Sequence, residues 1–199
     1  MTRHESITAA NLKRLTAETV EAARSLCDEH VGAGLYTSAF LHSILGKREH
    51  YFFLIQSGAA YIGYIYYRLM TAGQIGQLPG FASDTLAGLC RPEDPIAVYI
   101  SIGIQPSSRG TGVTDSLMAL LDERIRSDSE AVLIVAPAWK KGDFVPAERL
   151  LLRNGFTAYC ELLRPWENIA TLTCPACGQA RCQCHAVVYY RRVTERRSV

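Results

Sequence analysis

The chain has 199 residues, 48% of them hydrophobic and 20% charged, with a formal net charge of +2. This is the balance of a folded chain with a full core, and it gives no overall sign of a nucleic-acid partner. No apolar stretch is long enough to span a membrane, and the start MTRHESITAANLK has no apolar core of the signal-peptide kind. A cytoplasmic protein with reduced thiols is therefore expected, built as a single domain over residues 1–199.

In chain order, ANLKR reads as a short extended piece. Thr16 then caps a helix that carries Val20, Ala23, Cys27 and Val31 at helical spacing. TSAFLHSILGKR predicts a second short helix, capped by Thr37 or Ser38 and ending near Gly46. HYFFLIQSGAAYIGYIYYRLM is two β-rich runs around Ser57-Gly58, a hairpin. A glycine- and proline-containing connection from Thr71 to about Pro95 has the length of a functional or mobile loop.

IAVYISIGIQ is the cleanest strand. Strict alternation puts Ile96, Val98, Ile100, Ile102 and Ile104 on one face, with Ala97, Tyr99, Ser101 and Gly103 on the other. A glycine-containing turn follows, then an amphipathic helix with Val113, Leu117, Leu120, Leu121 and Ile125 in register. AVLIV is a short strand of the kind buried on both faces, and PAERLLLRNGF is a helix stopped by Gly155. FTAYCELLRPW and AVVYYRRV complete the set as two more strands. The class is α+β, a mixed but mainly antiparallel sheet interrupted by helices.

The stretch IGIQPSSRGTGVTDSLM carries chemistry. A strand ends, Pro106 stops the pairing, and the turn delivers the chain into the first turn of a helix. Backbone N–H groups and the helix dipole then converge on one place, where negative charge is favoured. Gly110 and Gly112 clear side chains from that place, and Arg109 adds a fixed cation. These residues make an anion site suited to a pyrophosphate. Neither a P-loop nor a dinucleotide fingerprint fits, because no Gly-Lys-Ser/Thr follows and only two glycines are present.

This stretch resembles the acetyl-CoA motif of the GCN5-related N-acetyltransferases (GNATs), Arg/Gln-x-x-Gly-x-Gly/Ala after a strand and a proline. Arg109 fills the first position and Gly112 the central glycine, while Thr114 replaces the usual glycine or alanine. AERLLLRNGF is similar to the family's second signature, a helix ending in Gly-Phe. The order of elements from about Asn11 to Val193 also fits. The resemblance implies a GNAT-like acyl-CoA N-acyltransferase fold whose fourth and fifth strands splay apart after about Ile102. Acetyl-CoA, or another acyl-CoA, would lie in the gap. Its pantetheine arm would bond the backbone of Ile102, Gly103 and Ile104, and its pyrophosphate would rest on the amides of Arg109, Gly110, Thr111, Gly112, Val113 and Thr114. A small-molecule or peptide amine would attack the thioester directly.

The family's usual acid, a tyrosine five residues before the Phe of Gly-Phe, is here Leu151, and its acidic strand positions fall near Val98 and Ile100. Tyr99, Ser101 and Asp94 are the remaining candidates, with Glu93 beside them acting through water. Two rivals stand beside the enzyme reading. One is a nucleic-acid-binding or nucleic-acid-modifying protein on the same scaffold, suggested by Arg191, Arg192, Arg196 and Arg197. The other is a non-catalytic acyl-CoA sensor, suggested by Leu151.

Near the C-terminus, TCPACGQARCQCH places Cys174, Cys177, Cys182 and Cys184 within eleven residues, with His185 as a possible substitute ligand. Cys-Pro-x-Cys-Gly makes a knuckle that pairs two sulfurs and aims amides at them, and four thiolates close a tetrahedral site. Structural zinc is expected, with iron–sulfur the minority alternative. The cluster falls in an insertion, residues 166–185, within the last β-hairpin, where metal ties down a long excursion. Cys27, Cys90 and Cys160 are scattered and read as small hydrophobes.

Overall fold

A computed structural model describes residues 7–179 and 181–193. Seven strands form one sheet: β1 (Leu12–Arg14), β2 (His50–Ser57), β3 (Ala60–Thr71), β4 (Pro95–Ile104), β5 (Leu133–Lys140), β6 (Thr157–Leu162) and β7 (His185–Arg192). Their order is β1-β2-β3-β4-β5-β7-β6, and every pairing is antiparallel except β4 with β5. Four α-helices join them: α1 (Val20–His30), α2 (Ser38–Ser43), α3 (Val113–Asp128) and α4 (Glu148–Arg153). No helix among the described residues is long and apolar enough to cross a membrane.

Local signals account for the helix starts. Thr16 opens a 3-10 turn, Ala17–Thr19, that runs into α1, so the expected cap serves the turn before the helix. Of the two candidates for α2, Thr37 is the cap, its hydroxyl accepting the Phe40 amide at 3.1 Å. Gly112, at φ 89°, precedes α3 in the left-handed region, where a glycine costs least.

Side chains sort the helices onto two faces. On one, α3 and α4 pack Val113, Leu117, Leu121, Ile125 and Leu151 against Ala97, Tyr99, Ile134, Ala136 and Tyr189. On the other, α1 and α2 cover Phe52, Leu54, Tyr64 and Tyr66. The connection from Thr71 to Pro95 lies on that second face too. It buries Ile75, Leu78, Phe81 and Leu86 against Ile96, Val98, Leu133 and Val135. It is thus a packed cover for the sheet, and its length reflects the area covered, not a mobile loop.

The alternation expected for β4 breaks in the middle. Tyr66 pairs with Ser101 but Tyr67 pairs with Tyr99, so Ile100 is an extra residue, a β-bulge. Past it the parity inverts: Ile102 and Ile104 join Ala97 and Tyr99 on the α3 face, while Ser101 turns to the α1 face. β4 and β5 pair only from Ile96↔Leu133 to Val98↔Val135. The splay therefore begins after Val98, earlier than the expected Ile102, because the bulge bends β4 away directly beyond that point.

One buried charge cluster ties α3 to β7. Asp122 accepts from Arg126 on its own helix and from Arg191 on β7, with its side chain 12% exposed. Asp122→Ala leaves Arg191 half-buried without its carboxylate. A loss of about 2 kcal/mol is expected in urea unfolding.

Candidate acyl-CoA cleft and thiol cluster

Beyond Val98 the two central strands run on separately, β4 to Ile104 and β5 to Lys140, and leave a gap between them. The amide of Gln105 donates to the Ile62 carbonyl at 2.9 Å, which sets the antiparallel alternation between β3 and β4. By that alternation Gly103 turns its backbone groups toward β3, while Ile102 and Ile104 turn theirs into the gap. A Cβ on Gly63 would meet the Gly103 carbonyl oxygen at 2.3 Å, as this orientation requires. Of the three residues expected to bond a pantetheine arm, Ile102 and Ile104 therefore face it and Gly103 does not. The Ile104 carbonyl already accepts from Arg109 Nε at 2.9 Å.

The glycine turn closes the end of this gap. Ser108 and Arg109 donate their amides to Gln105 and Pro106, so the Arg109 amide is committed inside the turn. Gly110, at φ 75°, has open space where a Cβ would be. Among the described residues, the amides of Gly110, Gly112, Val113 and Thr114 meet no backbone acceptor. Those of Val113 and Thr114 belong to the first helical turn, which has no intrahelical acceptors. The Thr111 hydroxyl donates to the Ser108 carbonyl at 2.8 Å and braces the turn. Arg153 of α4 pairs with Asp115 in the first turn of α3 at 2.7 Å and offsets its charge.

The candidate catalytic groups part company. Asp94 precedes β4 at its paired end, roughly 13 Å along the strand before Val98. Its carboxylate accepts from the Arg91 amide and guanidinium, which hold its pKa below the usual range. It lies away from the gap, because β4 opens only at its other end. Glu93 stands beside it, exposed and 3.5 Å from Arg91. Tyr99 and Ser101, expected on one face, are separated by the bulge. Tyr99 lies in the α3 core against Tyr67 and Phe156, and burial pushes its phenol pKa up. Its hydroxyl has no hydrogen-bond partner among the described residues. Tyr99→Phe should leave stability unchanged or raise it by up to ~1 kcal/mol, as urea unfolding would show, since no hydrogen bond is lost. Leu151 is buried in that same core at 4% exposure.

On the α1 face, Ser101 Oγ sits 2.6 Å from the Tyr64 hydroxyl. Burial raises the pKa of Tyr64 and Tyr36 well above normal and pushes Cys27 up to about 12, so all three stay neutral. His30, in the last turn of α1, escaped sequence reasoning. Its side chain is 2% exposed, its Cβ packs over Gly103, and Nε2 has no hydrogen-bond partner among the described residues. Burial lowers its pKa, with Glu29 pulling the other way and the Arg109 charge adding to the lowering. Nothing in the sequence around His30 marks it, because its neighbours come from β4.

The connection from β6 to β7, residues 163–184, brings the four cysteines together. Their sulfurs all lie within 4.8 Å of one another, and Cys174 Sγ is 3.7 Å from Cys184 Sγ. Tetrahedral zinc with ~2.3 Å bonds needs sulfurs ~3.8 Å apart, whereas a disulfide needs about 2.05 Å. The donor set and spacing fit a metal. Gly178, at φ 60°, returns its amide to the Cys174 carbonyl at 3.0 Å and forms the knuckle. The amides of Gln183 and Gln179 bond Cys177 and bring its pKa down to about 6. His185 stands outside the set, its Nδ1 2.6 Å from Glu161 Oε1 across β6. A cavity of about 290 Å³, lined in part by Lys140, Lys141, Cys177 and His185, opens beside the knuckle.

Two of the four arginines of the basic cluster are engaged within the fold. Arg191 belongs to Asp122, and Arg192 donates to the Leu89 carbonyl at 3.0 Å. Arg196 and Arg197 lie outside the described residues.

No protein-family model matches the sequence, and no curated protein matches it. Solved structures do resemble it. Arabidopsis thaliana NAA60 in complex with acetyl-CoA superposes with a TM-score of 0.65 at 12% identity, over 92% of this chain and 97% of that one. GphF, a GNAT-like decarboxylase in complex with isobutyryl-CoA, gives 0.65 at 14%, over 92% and 99%. A spermidine N-acetyltransferase variant from Vibrio cholerae gives 0.59 at 12%, over 94% of each chain. At such identities the likeness speaks for architecture, and by that measure the chain has the GNAT fold.

Proposed function

We propose that the protein is an acyl-CoA-dependent N-acyltransferase that moves an acetyl or other short acyl group to an amine. The observation that carries this reading is the gap between β4 and β5, ending on the open amides of Gly110, Gly112, Val113 and Thr114. Of the structural relatives, NAA60 is solved with acetyl-CoA and with a bisubstrate analogue, GphF is solved with isobutyryl-CoA, and another is named for spermidine. A small amine or a peptide amine is the acceptor class in this reading.

The amine lone pair attacks the thioester carbonyl carbon, the C–S bond breaks, and the thiolate departs as the ammonium loses its proton. The Ile102 N–H faces the gap, where a carbonyl developing negative charge can accept from it. The Arg109 guanidinium and the α3 amides hold the pyrophosphate. With Asp94 at the far end of β4, proton transfer falls to Ser101, Tyr99 or His30. The four cysteines hold structural zinc, which supplies folding free energy to residues 163–184. Thiolate ligands at this spacing suit a reducing compartment, so a cytoplasmic location belongs to the same reading.

The buried Leu151 supports one alternative, a sensor that binds acyl-CoA without turnover. Calorimetric titration with acetyl-CoA, followed by chromatographic measurement of free coenzyme A with polyamines and peptide amines, separates the readings. Acceptor-dependent release is expected. Tight binding without release across the panel would favour the sensor, and no binding would sink both.

A further inference from the structure

The cysteine segment does more than close the last hairpin. It is anchored on β6 and β7, on one side of the gap, yet its hydrogen bonds reach the other side. Thr173 donates its amide to the Ala33 carbonyl at 2.8 Å, and the Thr171 hydroxyl donates to the Gly34 carbonyl at 2.6 Å. Ala33 and Thr173 form an antiparallel bridge. Ala33 and Gly34 belong to the turn between α1 and α2, the helices that cover β2 and β3. Between these ends, Trp139 of β5 and Leu35 of the turn both pack on the cysteine cluster. The segment is thus a strap across the open part of the sheet, on the face opposite α3.

Two glycines make the close approach possible. A Cβ on Gly34, at φ +78°, would stand 2.0 Å from the Thr171 carbonyl oxygen. A Cβ on Gly32, at φ +135°, would stand 2.9 Å from Leu172 and 3.0 Å from Pro175 and from the Thr173 carbonyl oxygen. Gly34 is held from the other side as well, its amide donating to Asp28 Oδ1 at 3.0 Å. The turn therefore rests between α1 and the strap. The strap itself has a core of cysteines with a few hydrophobic neighbours, Leu172, Trp166 and Ile169 among them.

We infer that metal at Cys174, Cys177, Cys182 and Cys184 fixes the α1–α2 turn through this strap, and that turn and strap together wall the side of the gap on which the acceptor meets the acyl-CoA. The inference rests on the metal and acyltransferase readings above. It adds that metal governs the acceptor wall but not the pyrophosphate end of the coenzyme site, because no hydrogen bond among the described residues joins the strap to α3 or Arg109.

Hydrogen exchange on the full chain, with zinc loaded and then removed by a chelator, tests this alongside acetyl-CoA calorimetry. Removal should speed exchange at the amides of Gly34, Leu35 and Thr173 by at least about tenfold, with the β2–β4 core unchanged. The acetyl-CoA dissociation constant should stay within about threefold. Gly34→Ala, which leaves every cysteine in place, should keep zinc at one per chain and still speed exchange at the Thr173 amide. Zinc bound but without effect on residues 33–35 would overturn the coupling and leave the metal reading standing. A chain that takes up no zinc would overturn both. Acetyl-CoA affinity lost together with zinc would overturn the separation of the two sites.

Discussion

Gly112→Glu is expected to abolish acetyl-CoA binding, raising the dissociation constant at least about a hundredfold, or ~2.7 kcal/mol. Gly112 stands at φ 89°, immediately before α3, where the open amides of Val113 and Thr114 begin. A carboxylate there lies within a few ångströms of the position assigned to the pyrophosphate. Two like charges ~4 Å apart repel by about 4 kcal/mol at the effective dielectric of a protein surface. The left-handed backbone adds strain of roughly 1 kcal/mol for any side chain. Gly112→Ala carries the strain without the charge, so it should keep binding within about fivefold. Calorimetry on both variants, with melting curves to confirm folding, makes the comparison. Unchanged affinity in the glutamate variant would remove the pyrophosphate from this turn.

Cys177→Ser should remove the metal and cost about 3 kcal/mol, which for a chain of this size lowers Tm by ~6–12 °C. Cys177 is the least buried of the four, and amides of Gln183 and Gln179 hold its pKa down to about 6. A thiol arranged this way is a thiolate near neutral pH, the form a metal takes. Serine keeps the shape but withdraws the charge and the soft donor. Metal analysis and scanning calorimetry check both halves. A variant with full metal content would refute the knuckle, and lost metal with an unchanged Tm would leave the site present but without weight in stability.

Much of the architecture was legible because it is written in local patterns. The period of Val113, Leu117, Leu121 and Ile125 announced α3, and the glycines around Arg109 announced the turn that leads into it. The cysteine spacing announced the cluster in which the four sulfurs lie within 4.8 Å of one another. What could not be read were features set by pairing. A bulge exists only relative to a partner strand, so Ile100 looked like one more member of an alternating face. The faces of Tyr99 and Ser101, the start of the splay and the orientation of Gly103 all followed from that single register shift. Asp94 looked near the site because sequence distance ignores which end of a strand opens.

Composition and short-range spacing thus determined the class of fold, the helix and strand succession, the glycine turn before α3 and the thiol set. Each depends on residues within a few positions of one another, where backbone geometry is already decided by glycine, proline and side-chain period. Tertiary structure alone decided that His30 lies over Gly103 and that Arg191 answers to Asp122. It alone showed that the cysteine segment crosses from β6 and β7 to Gly34. These contacts join residues up to 137 positions apart, as between Gly34 and Thr171. They exist only once burial of the two sheet faces has paid the entropy of bringing such distant segments together.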